Sequence, residues 1–152
     1  MRAEGTFRGR LPSFPEVRAL AEAFGATVGA DHSATLRVVL VLEELFTNTV
    51  THGYPPGREG PVWVTLASRA GVIEVTYEDA GPSFNPVTDA PTPSDQPLTD
   101  EGQPPGGLGL ALVRGLSASA GYARVGDRNR VTLTVLTGRP PPSPPAPPAA
   151  AP

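Results

Sequence analysis

The 152-residue sequence contains no cysteine, so neither a disulfide nor a thiolate metal site is open to it. That absence suits a reducing compartment, and a cytoplasmic location is expected. Aromatic residues make up only 6%, with a single tryptophan, so a core has to be built from aliphatic side chains. Long apolar runs are missing as well. The longest covers residues 38–42, far short of the roughly 20 that span a bilayer, so no membrane segment is expected. The opening MRAEGTFRGRLP lacks the apolar stretch of a secretory signal. Positive charge is outweighed: 12 basic against 15 acidic residues leave a net charge of −3. That balance argues against direct nucleic-acid binding through the phosphate backbone.

What is present is enough for one domain with one core, expected over residues 1–138. Residues 139–152 are proline and alanine with little else. Such a segment cannot bury a core and is expected to be an extended, disordered tail.

The chain is organised around residues 36–54, LRVVLVLEELFTNTVTHGY. The run begins as a helix apolar on nearly every side, which marks burial on more than one face. Yet Glu43 and Glu44 interrupt it, and Asn48 follows. Glu44 and Asn48 are four apart and share a helix face. A polar stripe on so apolar a helix requires either access to water or a partner.

Around this helix the pattern predicts a small set of further elements. A first strand is expected within residues 5–11. A first helix is expected from residue 13 or 14 to 24, with Ser13 and Glu16 spaced as a capping box. Asp31 or Ser33 is expected to cap the central helix, which should end near His52 and Gly53. Val62, Val64 and Leu66 alternate with Trp63, Thr65 and Ala67, Ala70-Gly71 makes a turn, and residues 72–77 return as the second arm of a hairpin. Trp63 is out of phase with Val62 and Val64 and is expected under a neighbouring helix or at a partner surface. Residues 86–105 are polar and proline-rich, the composition of a lid. A third helix is expected from 107 to about 119, preceded by a glycine cluster. Residues 121–125 and 130–136 should close the sheet around Gly126-Asp127. The sum is α+β, with helices and a largely antiparallel sheet in two layers.

Three stretches carry the chemistry. The first is the Glu44–Asn48 helix face. The second is Glu78-Asp79-Ala80-Gly81-Pro82-Ser83-Phe84-Asn85-Pro86, where a strand ends in a turn. The third is Gly106-Gly107-Leu108-Gly109-Leu110, where missing side chains at a helix N-terminus let backbone N–H groups approach a phosphate. No Walker lysine accompanies those glycines, so this is not a P-loop. In this order the three resemble the N, G1 and G2 boxes of the GHKL ATPase superfamily. Within it, the chain is most similar to the small anti-sigma-factor serine/threonine kinases of bacteria, over about residues 14–136.

The resemblance implies a Bergerat ATP-binding fold: a two-layer sandwich of a mixed, largely antiparallel sheet with about three helices on one face. It implies ATP and Mg2+ as ligands. By position, Glu44 matches the carboxylate that orients and deprotonates the attacking hydroxyl, and Asn48 the metal ligand. Asp79 matches the acceptor of the adenine amino group, and Gly81 the residue that lets the ring lie close. Gly106, Gly107, Leu108, Gly109 and Leu110 match the phosphate-side ATP-binding box. His52-Gly53-Tyr54 and Phe84-Asn85-Pro86 also fit the small kinases, though His52 itself reads as a cap or packing residue and Arg114 as a solvated side chain. Two departures stand out. Asp127-Arg128-Asn129-Arg130 replaces a Gly-Thr whose threonine supports the adenine-binding aspartate in many relatives, leaving Thr132 or Thr134 as its substitute. Ser117-Ala118-Ser119-Ala120 stands where an acidic residue is common.

The implied function is transfer of the ATP γ-phosphate to a serine or threonine of a small antagonist protein, with sequestration of a sigma factor and a homodimer as the assembly. A non-catalytic module in which ATP gates protein binding is the alternative. A histidine-kinase catalytic domain fits less well. It needs a helical segment bearing the phosphorylated histidine, and only about thirty residues, mostly filled by one short helix, precede the central helix.

Overall fold

The computed structural model describes residues 1–55, 57–86 and 113–138. Its elements run β1 (Arg2–Arg8), a 3-10 turn (Leu11–Ser13), α1 (Phe14–Val28), α2 (His32–Asn48) and a π-helical turn (Thr49–Gly53). Then come β2 (Pro61–Arg69), β3 (Val72–Asp79), β4 (Ser119–Val125) and β5 (Arg128–Leu136). Residues 113–116 are helical and lead into β4. The strands form one sheet in the order β1-β2-β3-β5-β4, and all four pairings are antiparallel. Helices α1 and α2 cover one face of it, as a two-layer α+β sandwich requires.

Period-two alternation decides which face is covered. Val62, Val64 and Leu66 on β2, Ile73, Val75 and Tyr77 on β3, and Val131, Leu133 and Val135 on β5 all point into one core. They meet Val38, Val41, Leu42, Leu45 and Phe46 of α2 and Val17, Ala21 and Phe24 of α1. Each such aliphatic side chain, fully buried, contributes roughly 1.5–3 kcal/mol relative to exposure. The intervening residues face the other way. Trp63 is among them: among the described residues it packs under no helix, and it lies beneath the Arg128 guanidinium, whose carbon is 3.4 Å from the ring centroid. Arg128 and Arg130 also flank Glu78, at 3.9 and 3.4 Å.

The edges of elements differ from the sequence expectation in instructive ways. The first strand is Arg2–Arg8, three residues earlier than expected, because Ala3 and Phe7 supply its inward positions. Ser13 makes no side-chain cap. It belongs to the 3-10 turn that runs straight into α1, so its backbone is already helical (φ −84°, ψ −13°) rather than extended as a capping residue requires. The α1 helix continues to Val28 and stops at Gly29, in the left-handed region at φ 69°. Of the two candidates for α2, Asp31 is the cap: its Oδ1 accepts from the Ala34 N–H at 2.7 Å. The hairpin turn places both Ala70 (φ 41°) and Gly71 (φ 83°) at positive φ, the backbone that a two-residue turn with right-handed strand twist demands. Ser119 begins β4 rather than ending a helix. The expected lid from residue 87 onward, the glycine box with Gly106 to Leu110, and the tail from residue 139 lie outside the described residues.

Candidate functional site

The site begins as one row across the sheet. Phe7, Val62, Asp79, Asn129 and Arg124 stand opposite one another on β1, β2, β3, β5 and β4. The row is apolar on β1 and β2 and turns polar from β3 onward. Asp79, the last residue of β3, is only 8% exposed and Asn129 only 7%. Both continue the inward alternation of their strands, so each sends a polar side chain to the core side of the sheet. Buried polar groups require partners.

Asp79 finds three. Its Oδ1 accepts from Asn129 Nδ2 at 2.9 Å and from the Gly81 backbone N–H at 3.0 Å. Its Oδ2 accepts from Thr49 Oγ1 at 2.7 Å. Asn129 is consumed by the same arrangement. Its Nδ2 also donates to the carbonyls of Pro82 (2.8 Å) and Gly81 (3.2 Å). Its Oδ1 accepts from Tyr122 Oη (2.6 Å), Arg124 (3.2 Å) and the Phe84 N–H (3.2 Å). Arg124 adds a bond to the Gly81 carbonyl at 2.7 Å. The turn after β3 is thereby tied to the two strands beyond it.

Thr49 delivers its hydroxyl from the end of α2: its backbone is still α-helical (φ −60°, ψ −48°), its N–H bonds the Leu45 carbonyl one turn back, and it continues the buried face of Leu42 and Leu45. The π-helical turn Thr49–Gly53 ends α2 by widening it, a distortion that recurs at functional sites. Tyr77 Oη lies 2.6 Å from Thr49 Oγ1. Each hydroxyl has one proton, and a carboxylate only accepts. Tyr77 therefore donates to Thr49, and Thr49 donates to Asp79. Burial, reinforced by the Asp79 charge and opposed by the Thr49 bond, pushes the Tyr77 phenol well above its ordinary value, which keeps its proton in this chain.

Tyr54 follows the π-helical turn and locks it to the same loop. Its Oη accepts from the Ala80 N–H at 2.8 Å and donates to the Pro61 carbonyl at 2.5 Å. Its ring lies so close to Gly60 that an added Cβ there would collide with it. At Gly81 an added Cβ would meet the Gly53 carbonyl oxygen at 3.2 Å, so the turn after β3 and the end of the π-helical turn approach too closely for a larger residue to enter freely.

Between these parts lies a cavity of about 230 Å³. Asn48, Thr49, His52 and Gly53 line one side; Asp79, Pro82, Ser83 and Phe84 line the other, and Tyr77, Asn129 and Val131 contribute from the sheet. The sequence candidates Asn48 and Asp79 are thus brought together. Gly81 stands beside them. Glu44 is half-buried one helical turn before Asn48 and is not part of the cavity wall. Burial, with Glu43 adding to it, raises its carboxyl above the usual value. Arg114 is exposed.

Sequence reasoning missed Thr49 and the role of Asn129. Thr132 and Thr134, the expected supports for Asp79, occupy the opposite phase of β5 and face away from the site. Asn129 is in phase with Val131, Leu133 and Val135. That phase was the available signal: a polar residue continuing an inward alternation must be satisfied by something. Thr49 carried a similar signal, as a polar residue one turn after Leu45 on the buried face of α2.

Residues 7–135 match the family described as the Histidine kinase-like ATPase domain, and the chain belongs to that family. Membership in that family implies ATP as the nucleotide the domain uses. The chain is 34% identical over 104 residues to the serine/threonine-protein kinase BtrW of Bordetella bronchiseptica, covering 67% of this chain and 72% of that one. It is 32% identical over 95 residues to an anti-sigma F factor of Heyndrickxia coagulans, covering 62% of this chain and 63% of the relative. In fold it is similar to the RsbU and RsbW domains of Rv1364c from Mycobacterium tuberculosis. That match has a TM-score of 0.65 and 23% identity, over 93% of this chain and 34% of the larger one.

Proposed function

We propose that this chain is an ATP-dependent serine/threonine protein kinase of the anti-sigma type, transferring the γ-phosphate to a small antagonist protein. The observation that carries the reading is the Asp79 carboxylate, buried at the end of β3, backed by three donors and facing a cavity whose opposite wall holds Asn48. A carboxylate so arranged accepts an exocyclic amino group, and adenine offers one. Gly81 lets the base lie against the turn. Phe84, part-exposed on the cavity rim, offers an apolar surface for it.

Asn48 lines the same cavity, and its side chain carries one amide oxygen. Among the described residues no cluster of three His, Asp or Glu could by itself hold a metal ion. One protein oxygen, completed by phosphates and water, is a donor set that suits Mg2+. Bound there, Mg2+ would neutralise charge on the transferring phosphate. Glu44, on the same helix face as Asn48 and with a raised pKa, is suited to accept the proton of an attacking serine or threonine hydroxyl. Phosphoryl transfer needs mainly positioning, so the base contributes a limited factor, about 10²–10⁴. The relatives named as a kinase and as an anti-sigma factor support the substrate class and sequestration of a sigma factor.

The position of Glu44 outside the cavity wall favours one second reading, a module in which ATP gates protein binding without transfer. Labelled Mg-ATP added to a lysate of the source organism separates the two. A small protein labelled by wild type, and about 100-fold less by Glu44→Gln, is the expected result. Binding of Mg-ATP without any labelling would establish the gated module instead.

A further inference from the structure

We infer that Asn129 determines purine specificity, by leaving Asp79 with a single acceptor position for the base; this rests on the proposed ATP site. A carboxylate offers four lone-pair directions, two on each oxygen. Oδ1 of Asp79 spends both of its own on Asn129 Nδ2 and the Gly81 N–H, at 2.9 and 3.0 Å. Oδ2 spends one on Thr49. Among the described residues one direction is left, on Oδ2, and Asp79 lines the cavity.

The two purines ask different things of a carboxylate. Adenine presents one exocyclic amino group and needs one acceptor. Guanine presents N1–H and the 2-amino group side by side, a pair that binds a carboxylate through both oxygens. With Oδ1 filled, that two-point contact is closed, and the carbonyl at position 6 of guanine adds repulsion against the free Oδ2 direction. Asn129 itself cannot serve guanine in place of Asp79. Its Nδ2 is committed to Asp79 and the Pro82 carbonyl, and its Oδ1 faces Tyr122, Arg124 and the Phe84 N–H. It is a positioning residue that acts through Asp79.

The test uses the full chain and three triphosphates: ATP, GTP and ITP, the last lacking only the 2-amino group of GTP. Binding is measured by competition against a fluorescent ATP analogue. In wild type, ATP binds best and GTP and ITP bind equally poorly, because a second donor finds no acceptor. In Asn129→Ala, Oδ1 gains a free direction. GTP then gains about tenfold over ITP, and the preference for ATP over GTP narrows by a similar factor. Asn129→Ser, which restores a donor at that position, recovers part of the wild-type preference, an effect that loss of packing alone would not show. If wild type binds GTP ten times better than ITP, the inference is wrong whatever the variants do, and this comparison stands even should Asn129→Ala fail to fold. If wild type selects ATP but Asn129→Ala keeps the same ATP:GTP:ITP ratios, Asn129 does not set specificity while the ATP site survives. If wild type binds no ATP, the ATP reading fails and takes this inference with it.

Discussion

Hydroxyl protons, rather than charges, organise the site at the scale of single residues. Tyr77 donates to Thr49 and Thr49 to Asp79, so removing either hydroxyl disturbs the other's partner. Thr49→Val keeps the shape and deletes the donor, and should cost about 1–3 kcal/mol in urea denaturation. Tyr77→Phe should cost about 1 kcal/mol. Because both act on one chain of bonds, Thr49→Val with Tyr77→Phe should cost at least 0.5 kcal/mol less than the sum, roughly the threshold for real coupling. Strict additivity would mean that the chain is not connected as assigned. Glu44 gives a pH prediction. Its folded-state carboxyl is raised above the usual value near 4.5, so the charged form is the disfavoured one in the fold. The cost is absent below that value and grows as pH rises through the raised one. Glu44→Gln should therefore melt at a higher temperature than wild type at pH 7, with the gap closing below pH 4.5. An equal gap at both pH values would count against the assigned shift.

At the scale of elements, α1 and α2 cross at close range. Gly25 of α1 faces Thr35 of α2, and an added Cβ would collide with the threonine hydroxyl. Two effects oppose each other in Gly25→Ala. Helix propensity favours alanine by up to about 1 kcal/mol. Overpacking against a β-branched side chain costs about 1–3 kcal/mol and should win. Thermal melting should show a loss for Gly25→Ala and a gain when Thr35→Ala is added to it; stabilisation by the single change would show that the helices separate at little cost. Elements were also where the sequence was most readable. The apolar run of α2 and the alternation of β2, β3 and β5 identified the core without ambiguity. Edge strand β1 was harder, because Gly5 and the arginines dilute its pattern and only Ala3 and Phe7 mark its inner face. The capping box at Ser13 misled because spacing cannot reveal that a 3-10 turn precedes the helix.

At the scale of the whole molecule, α1 and α2 cover one face of the sheet and, among the described residues, no helix covers the other. Neighbouring residues of the central strand β3 should therefore respond very differently to the same truncation. Val75, fully buried, should lose about 2–3 kcal/mol as alanine, measured by urea denaturation at constant m-value. Thr76, on the open face, should lose under about 1 kcal/mol. Comparable losses would mean that the open face is covered. The candidate site was legible in part for the same architectural reason. Asn48 and Asp79 sit in boxes that resemblance can match. The alternation along β5 marks Asn129 as inward-facing, but its pairing with Asp79 depends on a cross-strand register that the alternation does not give. The register also has a consequence for synthesis. Thr49, Asp79 and Asn129 lie 30 and 50 positions apart along the chain, yet meet at one carboxylate. A polypeptide leaving the ribosome exposes the first two long before the third, and β5 inserts between β3 and β4 only after all the others have been made. Assembly of this carboxylate's surroundings would then wait until β5 has been made.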